Sequence, residues 1–358
     1  VHVDPTRRRA WVSGGALLGA LDRATQPYGL ATTAGNVSHT GVGGLTLGGG
    51  MGWLARQCGM ACDNVLSFEV VTATGDVVTA SPTRHPELYW GLRGGGGNFG
   101  IVTRFEFRLH QVGTRALSAE WTFPAEQAAQ ALRGWRDIIR TAPRPATFEA
   151  SIDHDQRVTI GYVWVGDIEQ GRRLLPALRS IARATTETVT ELSYLDLQSR
   201  SDIPQAYDFR RYSKGHYLDT LSDTAIDALV TALRDDPADG IRPDTVSLLS
   251  YGGAIADVAD EDTAFSHRGA GFEYSAGVRW TDPAEDADRM AAARRHANYL
   301  ADFANGEYVN TLTETGDKGL RRAYSTGKLA RLAAIKNAYD PDNAFRLNHN
   351  IAPKRRSA

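Results

Sequence analysis

Residues 40–53 read TGVGGLTLGGGMGW, and residues 94–100 echo them with GGGGNFG. Together the two runs hold twelve of the chain's 36 glycines. Glycine lacks a Cβ, so such runs let a backbone take positive φ and bring its N–H groups against a flat or anionic ligand. Neither run is a standard nucleotide fingerprint. Counted from Gly41, the sixth position of G-x-G-x-x-G is Thr46, and no Gly-Lys-Ser/Thr tripeptide lies near either segment. The pattern therefore points to a cofactor held by neither a Rossmann turn nor a P-loop. Taken alone, the glycines would also suit tight turns in a β-rich fold.

Outward from these runs, the chain reads as helices laid on sheets. The opening VHV and AWV flank an Asp4-Pro5 turn, as in a hairpin, and the apolar spacing from Ala16 to Tyr28 predicts a helix. Between Asn64 and Ser81, two β-branched runs meet at Thr74-Gly75-Asp76, a second hairpin. A short helix is expected over Pro86 to Leu92. In the strand after Gly100, alternation puts Ile101, Thr103, Phe105, Phe107 and Leu109 on one face. Beyond Gly113 the glycines thin out. Strands are predicted in ALSAEWTF, PRPATFEASID and RVTIGYVWVG, and again at 246–251, 272–280 and 306–312. Helices are predicted over 125–140, 168–184, 223–234 with Ser222 as N-cap, 283–303, and 318–339 before Asp340-Pro341. This order fits an α+β fold better than a doubly wound sheet.

Composition narrows the function. With 358 residues, 42% hydrophobic and 23% charged, the chain can bury one or two ordinary cores. A net charge of −2 argues against nucleic acid, which is held by clustered Lys and Arg. The basic runs Arg7 to Arg9 and Lys354 to Arg356 read as a solvated turn and tail. No apolar run is long enough for a membrane helix. Cys58 and Cys62 stand four apart without a partner cluster, so they read as free thiols, and no metal site is expected.

The glycine segment has company along the chain. TGVGGLTLGGG, GMACDN, VVTATGDVV, ELYWGLRGGGGNFGIVTRFEF and FRLNHNIAP occur in that order, with GGAIADVADEDTAFSHR and YVN between the last two. This series resembles the berberine-bridge-enzyme-like group of FAD-linked oxidases, within the vanillyl-alcohol-oxidase superfamily. The resemblance implies a PCMH-type FAD-binding domain over residues 1–112, a substrate domain of antiparallel sheet covered by helices over 113–340, and a segment, 341–358, returning to the first domain. It also implies that the family's first flavin subdomain, with the histidine that usually tethers the flavin, would lie ahead of Val1. Val37 stands where many members carry a second tethering cysteine, so no cysteinyl bond is expected.

By the same resemblance, Thr40, Gly41, Gly43, Gly44, Gly49 and Gly52 would present backbone to FAD, with Gly100 and Val102 from the second segment and Asn348 or Asn350 from the terminal NHN. Thr40 falls where the family controls oxygen access, which favours O2 as acceptor and hydrogen peroxide as product. A flavin oxidase also needs a base beside the substrate. Tyr308 matches the family tyrosine at that place, although a phenol near its usual pKa of about 10 needs activation. Glu273 is the second candidate: the resemblance implies that a family glutamate base can occupy the strand FEYSAGVRW, counting back from Trp280 places Glu273 there, and alternation puts it on one face with Ser275, Gly277 and Arg279. Counting from His267-Arg268 points to Tyr274 instead. The expected substrate is a small molecule such as a sugar, alkaloid or polyketide, oxidised at a C–OH or C–N group. The alternative is a family member that has lost catalysis and holds flavin or ligand weakly.

Overall fold

The computed structural model describes residues 1–203, 208–235, 241, 245–314 and 316–353, so the basic run Lys354 to Arg356 lies outside the described residues. Two antiparallel sheets organise the molecule. The first has five strands in the order His2–Asp4, Arg9–Ser13, Ile101–Arg108, Val65–Val71, Val77–Ala80. The second has seven, in the order Thr186–Ser193, Arg115–Phe123, Val158–Val165, Ala146–Ile152, Thr245–Ser250, Phe272–Trp280, Arg210–Leu218. The α+β expectation holds, and both predicted hairpins form, with Gly75 at φ 86° turning the second.

Each sheet packs one face against helices. Phe68, Phe105 and Phe107 of the first sheet pack with Leu88 and Trp90 of the helix Pro86–Leu92. The same core takes in Leu312, Leu320, Leu332, Ile335 and Ile351, so the chain re-enters it well before residue 341. On the second sheet, Trp121, Phe148, Tyr162 and Tyr274 meet Trp135 and Leu229 from the helices Ala128–Ile139 and Asp223–Arg234. The Ser222 side chain accepts from Ala225 N–H, as an N-cap should.

Four local expectations fail for identifiable reasons. In the strand Ile101–Arg108, Glu69 pairs with Arg104 but Val70 pairs with Val102, leaving Thr103 as an extra residue. That bulge reverses the alternation, so Val102 is buried and Ile101 faces solvent. The helix expected over 168–184 is two short helices, Ile168–Arg172 and Leu175–Arg179, because Pro176 has no N–H to continue the ladder. The helix expected over 318–339 divides into Gly316–Ala323 and Thr326–Tyr339, the second restarted by Ser325, whose side chain accepts from Lys328 N–H. The strand expected at 306–312 is absent. Gly306 makes one bridge to Tyr217, and the chain then turns, with Thr311 N–H donating to the Tyr308 carbonyl.

Candidate active site

The two glycine runs are knotted together by one carbonyl. Leu47, at the end of the short helix Val42–Leu47, accepts from Gly94 N–H at 3.0 Å and Gly96 N–H at 2.9 Å. Asn98, buried in the second run, donates to the His349 carbonyl and accepts from Ile351 N–H, which draws the NHN segment alongside. The buried Lys336 ammonium bridges the Asn98 carbonyl, the Asp340 carboxylate and the Phe345 carbonyl. These ties leave a cleft of about 320 Å³ lined by Gly44, Leu47, Gly48, Gly95, Gly96, Gly97, Asn98, Asn310, Tyr324 and Asn348.

The glycines divide into two kinds. A Cβ at Gly41 or Gly44 would meet nothing within 4 Å, so these two open outward. A Cβ at Gly43 would lie 2.8 Å from the Gly14 carbonyl oxygen, and one at Gly52 would overlap the Ala34 carbonyl. Gly49, at φ 126°, has the Phe265 ring where a Cβ would stand, and Gly100 faces Val70 and Val71. Those four are needed for backbone packing. Val102 is buried in the first core, and Thr40 uses its N–H on the Val37 carbonyl and its own carbonyl on Leu18 N–H. Asn348 lines the cleft beside Gly97, and Asn350, two residues on, has a buried Oδ1 with no partner among the described residues.

A third cluster of buried side chains joins the glycine segment to the second sheet: Met51, Met60 and Cys62 with Tyr217, Tyr251, Phe265 and Tyr308. Tyr308 points back at the glycine run, where Gly50 N–H and the Asn310 side-chain amide each donate to its oxygen at 2.8 Å. Both bonds favour the phenolate, yet burial outweighs them and holds the phenol well above its ordinary pKa. Glu273 is buried on the sheet face that its alternation predicted. It accepts from the Tyr251 hydroxyl at 2.6 Å, and burial pushes its pKa up to about 7. Tyr274 points the other way, into the helix-covered core, and donates to the His296 carbonyl, which removes it as the counterpart of Glu273.

Arg268 and Asp63 form a buried bidentate pair, both bonds at 2.7 Å, that ties the loop before Glu273 to the end of the glycine segment. The neighbouring His267 sits at φ 64° with its ring against Tyr217. The cysteines are unpaired, and burial raises both thiols, Cys58 to about 12, so neither is primed as a nucleophile. Asn310, Asn98 and Tyr251 were not singled out from sequence as site residues, and Tyr217 had no better claim than lining. The spacing Tyr308-x-Asn310 was the available signal for the first. The others are joined to the site only by long-range contacts. Among the described residues no three His, Cys, Asp or Glu side chains gather as metal ligands, and no helix is long and apolar enough to cross a membrane.

This lining suits a flavin dinucleotide. Open glycines admit a flat ring or a pyrophosphate, and backbone and amide donors stand in place of positive charge. Comparison with known proteins agrees. Residues 1–81 match the model of an FAD binding domain, and residues 307–352 match the model described as berberine and berberine like. The (R)-6-hydroxynicotine oxidase of Paenarthrobacter nicotinovorans is 28% identical over 99% of this chain and 80% of its own length. An FAD-linked oxidoreductase of Dictyostelium discoideum is also 28% identical, over 99% of this chain and 77% of its own. Among solved structures, 6-hydroxy-D-nicotine oxidase from Arthrobacter nicotinovorans superposes with a TM-score of 0.85 at 25% identity, covering 99% of this chain and 80% of that one. The carbohydrate oxidase of Microdochium nivale shares the fold, with a TM-score of 0.88 at 23% identity over 99% and 80% of the two chains. The chain is an FAD-linked oxidoreductase that matches the FAD binding domain model at one end and the berberine and berberine like model at the other.

Proposed function

We propose that this enzyme oxidises a C–OH or C–N group of a small molecule, such as a sugar or an alkaloid-like or polyketide-like compound, and that O2 is the acceptor, giving H2O2. The observation that carries this reading is the approach of Tyr308 to the glycine cleft. Its oxygen is bonded to Gly50 and Asn310, and Asn310 itself lines that cleft. When bound, FAD supplies the hydride acceptor and passes two electrons on to oxygen.

The chain's own residues do the rest. Gly41, Gly44, Gly96 and Gly97, with Asn348, hold the cofactor, while Gly43, Gly49, Gly52 and Gly100 shape the backbone around it. Thr40 borders the same turn, and Val102 and Asn350 support it from behind. In the domain scheme, residues 1–112 carry the flavin together with the C-terminal part of the chain, which packs into the first core from Leu312 rather than from 341, and the residues between carry the substrate. Tyr308 takes the proton from the substrate's hydroxyl or amine, helped by the two N–H donors that stabilise its ionised oxygen. Glu273 is the acid–base group behind it. Nicotine and carbohydrate oxidases among the relatives and structural neighbours are consistent with a C–N or C–OH bond as target.

The test is to load the purified chain with FAD and record its visible spectrum. Peroxide release is then followed with cellobiose, xylobiose, benzyl alcohol and (R)-6-hydroxynicotine. Flavin absorbance together with peroxide from at least one compound supports the reading. Failure to retain flavin marks the chain as a non-catalytic member.

A further inference from the structure

Tyr217 is 1% exposed, and its hydroxyl has no hydrogen-bond partner among the described residues. Leaving a buried hydroxyl unpaired costs roughly 1–3 kcal/mol, so such a group invites a functional account. Its surroundings provide one. The Tyr217 ring lies 5.3 Å from that of Tyr251, edge-on, and 6.3 Å from that of Tyr308. Tyr251 in turn donates to Glu273 at 2.6 Å. Three phenols therefore lead from the glycine cleft to one buried carboxyl group. The Tyr251 side chain is near enough to Tyr217 to favour loss of the Tyr217 proton, although the Tyr217 hydroxyl makes no hydrogen bond to it. A small swing of the Tyr217 side chain is needed to close the series.

We propose that Tyr217 and Tyr251 carry a proton between Tyr308 and Glu273, so that Glu273 stores the substrate's proton until oxygen consumes it. The inference rests on the oxidase reading above. As the substrate's C–H bond breaks and hydride leaves to FAD, the O–H or N–H proton passes to the Tyr308 oxygen. The Tyr308 proton moves to Tyr217, that of Tyr217 to Tyr251, and that of Tyr251 to Glu273. The substrate has then lost two electrons and two hydrogens, and the chain holds one proton. With FAD bound, oxygen would take up the two electrons and one hydrogen. The relay runs backward and supplies the second hydrogen of H2O2, leaving Glu273 ionised.

The groups facing this carboxylate fit a store. Glu273 sees Tyr251 from the end of the adjacent strand, Tyr217 from the edge strand, and Glu307 and Tyr308 from the segment beyond. His267 and Arg268 flank Tyr217 from the preceding loop. Burial, with the Glu307 charge, holds Glu273 at about 7, where it can both accept and release a proton near neutrality.

The reoxidation step tests this without knowledge of the substrate. The FAD-loaded chain is photoreduced anaerobically and mixed with oxygenated buffer from about pH 5.5 to 9, and flavin absorbance is followed. Wild type is expected to reoxidise faster at low pH, where Glu273 carries its proton, with an inflection near 7. E273Q flattens the profile. Y217F, which leaves the Tyr251–Glu273 bond intact, also flattens it and slows reoxidation below the inflection by about tenfold or more. Y251F is the second break in the same path and gives the same result. A wild-type profile in Y217F or Y251F overturns the relay while leaving the oxidase reading standing. Reduced wild-type flavin that ignores oxygen overturns both. As a separate readout, the flavin-free Y217F chain should melt within about 2 °C of wild type, because no bond is lost. A fall of more than about 5 °C would assign Tyr217 a structural role and overturn the proposal.

Discussion

At the scale of single residues, the proposed chemistry depends on acids whose ionisation burial opposes. Tyr308 is expected to be indispensable to proton removal but not to cofactor retention. Y308F should bind FAD with an ordinary flavin spectrum and slow flavin reduction by about two to four orders of magnitude in rapid mixing with a compound that reduces wild type. A second buried acid lies away from this chemistry. Asp22, on the helix Leu18–Thr25, is 2% exposed and accepts from the Gln198 side chain, and burial pushes its pKa up to about 7. Its folded pKa is above the unfolded value of about 3.9, so its contribution is fully present below that value. Stability is then lost as pH rises toward about 7 and is flat beyond. Asn at this position can still accept from Gln198 without carrying charge. D22N is therefore expected to exceed wild type by about 1–3 kcal/mol at pH 8, with the gap closing toward pH 4, in urea titrations at both values.

At the scale of elements, the two kinds of glycine should separate by mutation. Gly44 lies in a helix with open space where a Cβ would stand. G44A should therefore leave the flavin-free chain as stable or up to about 1 kcal/mol more stable, while weakening FAD binding by about tenfold or more. G49A places a Cβ 2.7 Å from the Phe265 ring at φ 126° and should destabilise the chain whether or not FAD is present. Thermal melts with and without FAD distinguish the two. The sequence carried the positions of these glycines but not this division, which depends on what lies opposite each one. The same limit governed the strands. Thr186–Ser193 and Arg210–Leu218 went unread, and they are the two edges of the seven-stranded sheet. Edge strands carry polar side chains that blur alternation, here Thr and Glu in one and Arg, Arg and Lys in the other. Central strands such as Phe272–Trp280 were legible because their inward face is continuous. Tyr217 sits on an edge, and Tyr251 lies just past a strand end. Ser325 was hidden inside an apparently continuous helical period. Its role can be checked by S325A, which should cost about 1 kcal/mol of stability in denaturant titration.

At the scale of the whole molecule, the site exists only while the glycine segment and the second sheet keep their registration, and the Asp63–Arg268 pair is placed to maintain it. Asp63 follows the glycine run, and Arg268 stands five residues before Glu273. Their side chains are 7% and 4% exposed, and Asp63 also accepts from Met60 N–H and faces Arg93 at 3.5 Å. Arg268 further donates to the Thr263 hydroxyl and lies over the Phe265 ring. Mutual attraction in so dry a place only partly offsets the cost of removing both charges from water. Removing Asp63 leaves Arg268 buried and uncompensated, and removing Arg268 leaves Asp63 facing Arg93 through only a longer contact of 3.5 Å. D63A and R268M are therefore each expected to lose about 3–5 kcal/mol in denaturant unfolding, whereas the double variant should lose much less than their sum. The same cycle can be run on FAD affinity. If the pair fixes the position of the sheet against the glycine cleft, the single variants should also release FAD more readily, and the double variant should not recover that loss. Recovered stability without recovered affinity would separate the pair's part in registration from its part in folding. Recovery of both would mean that apolar packing alone can hold the two halves of the site in place.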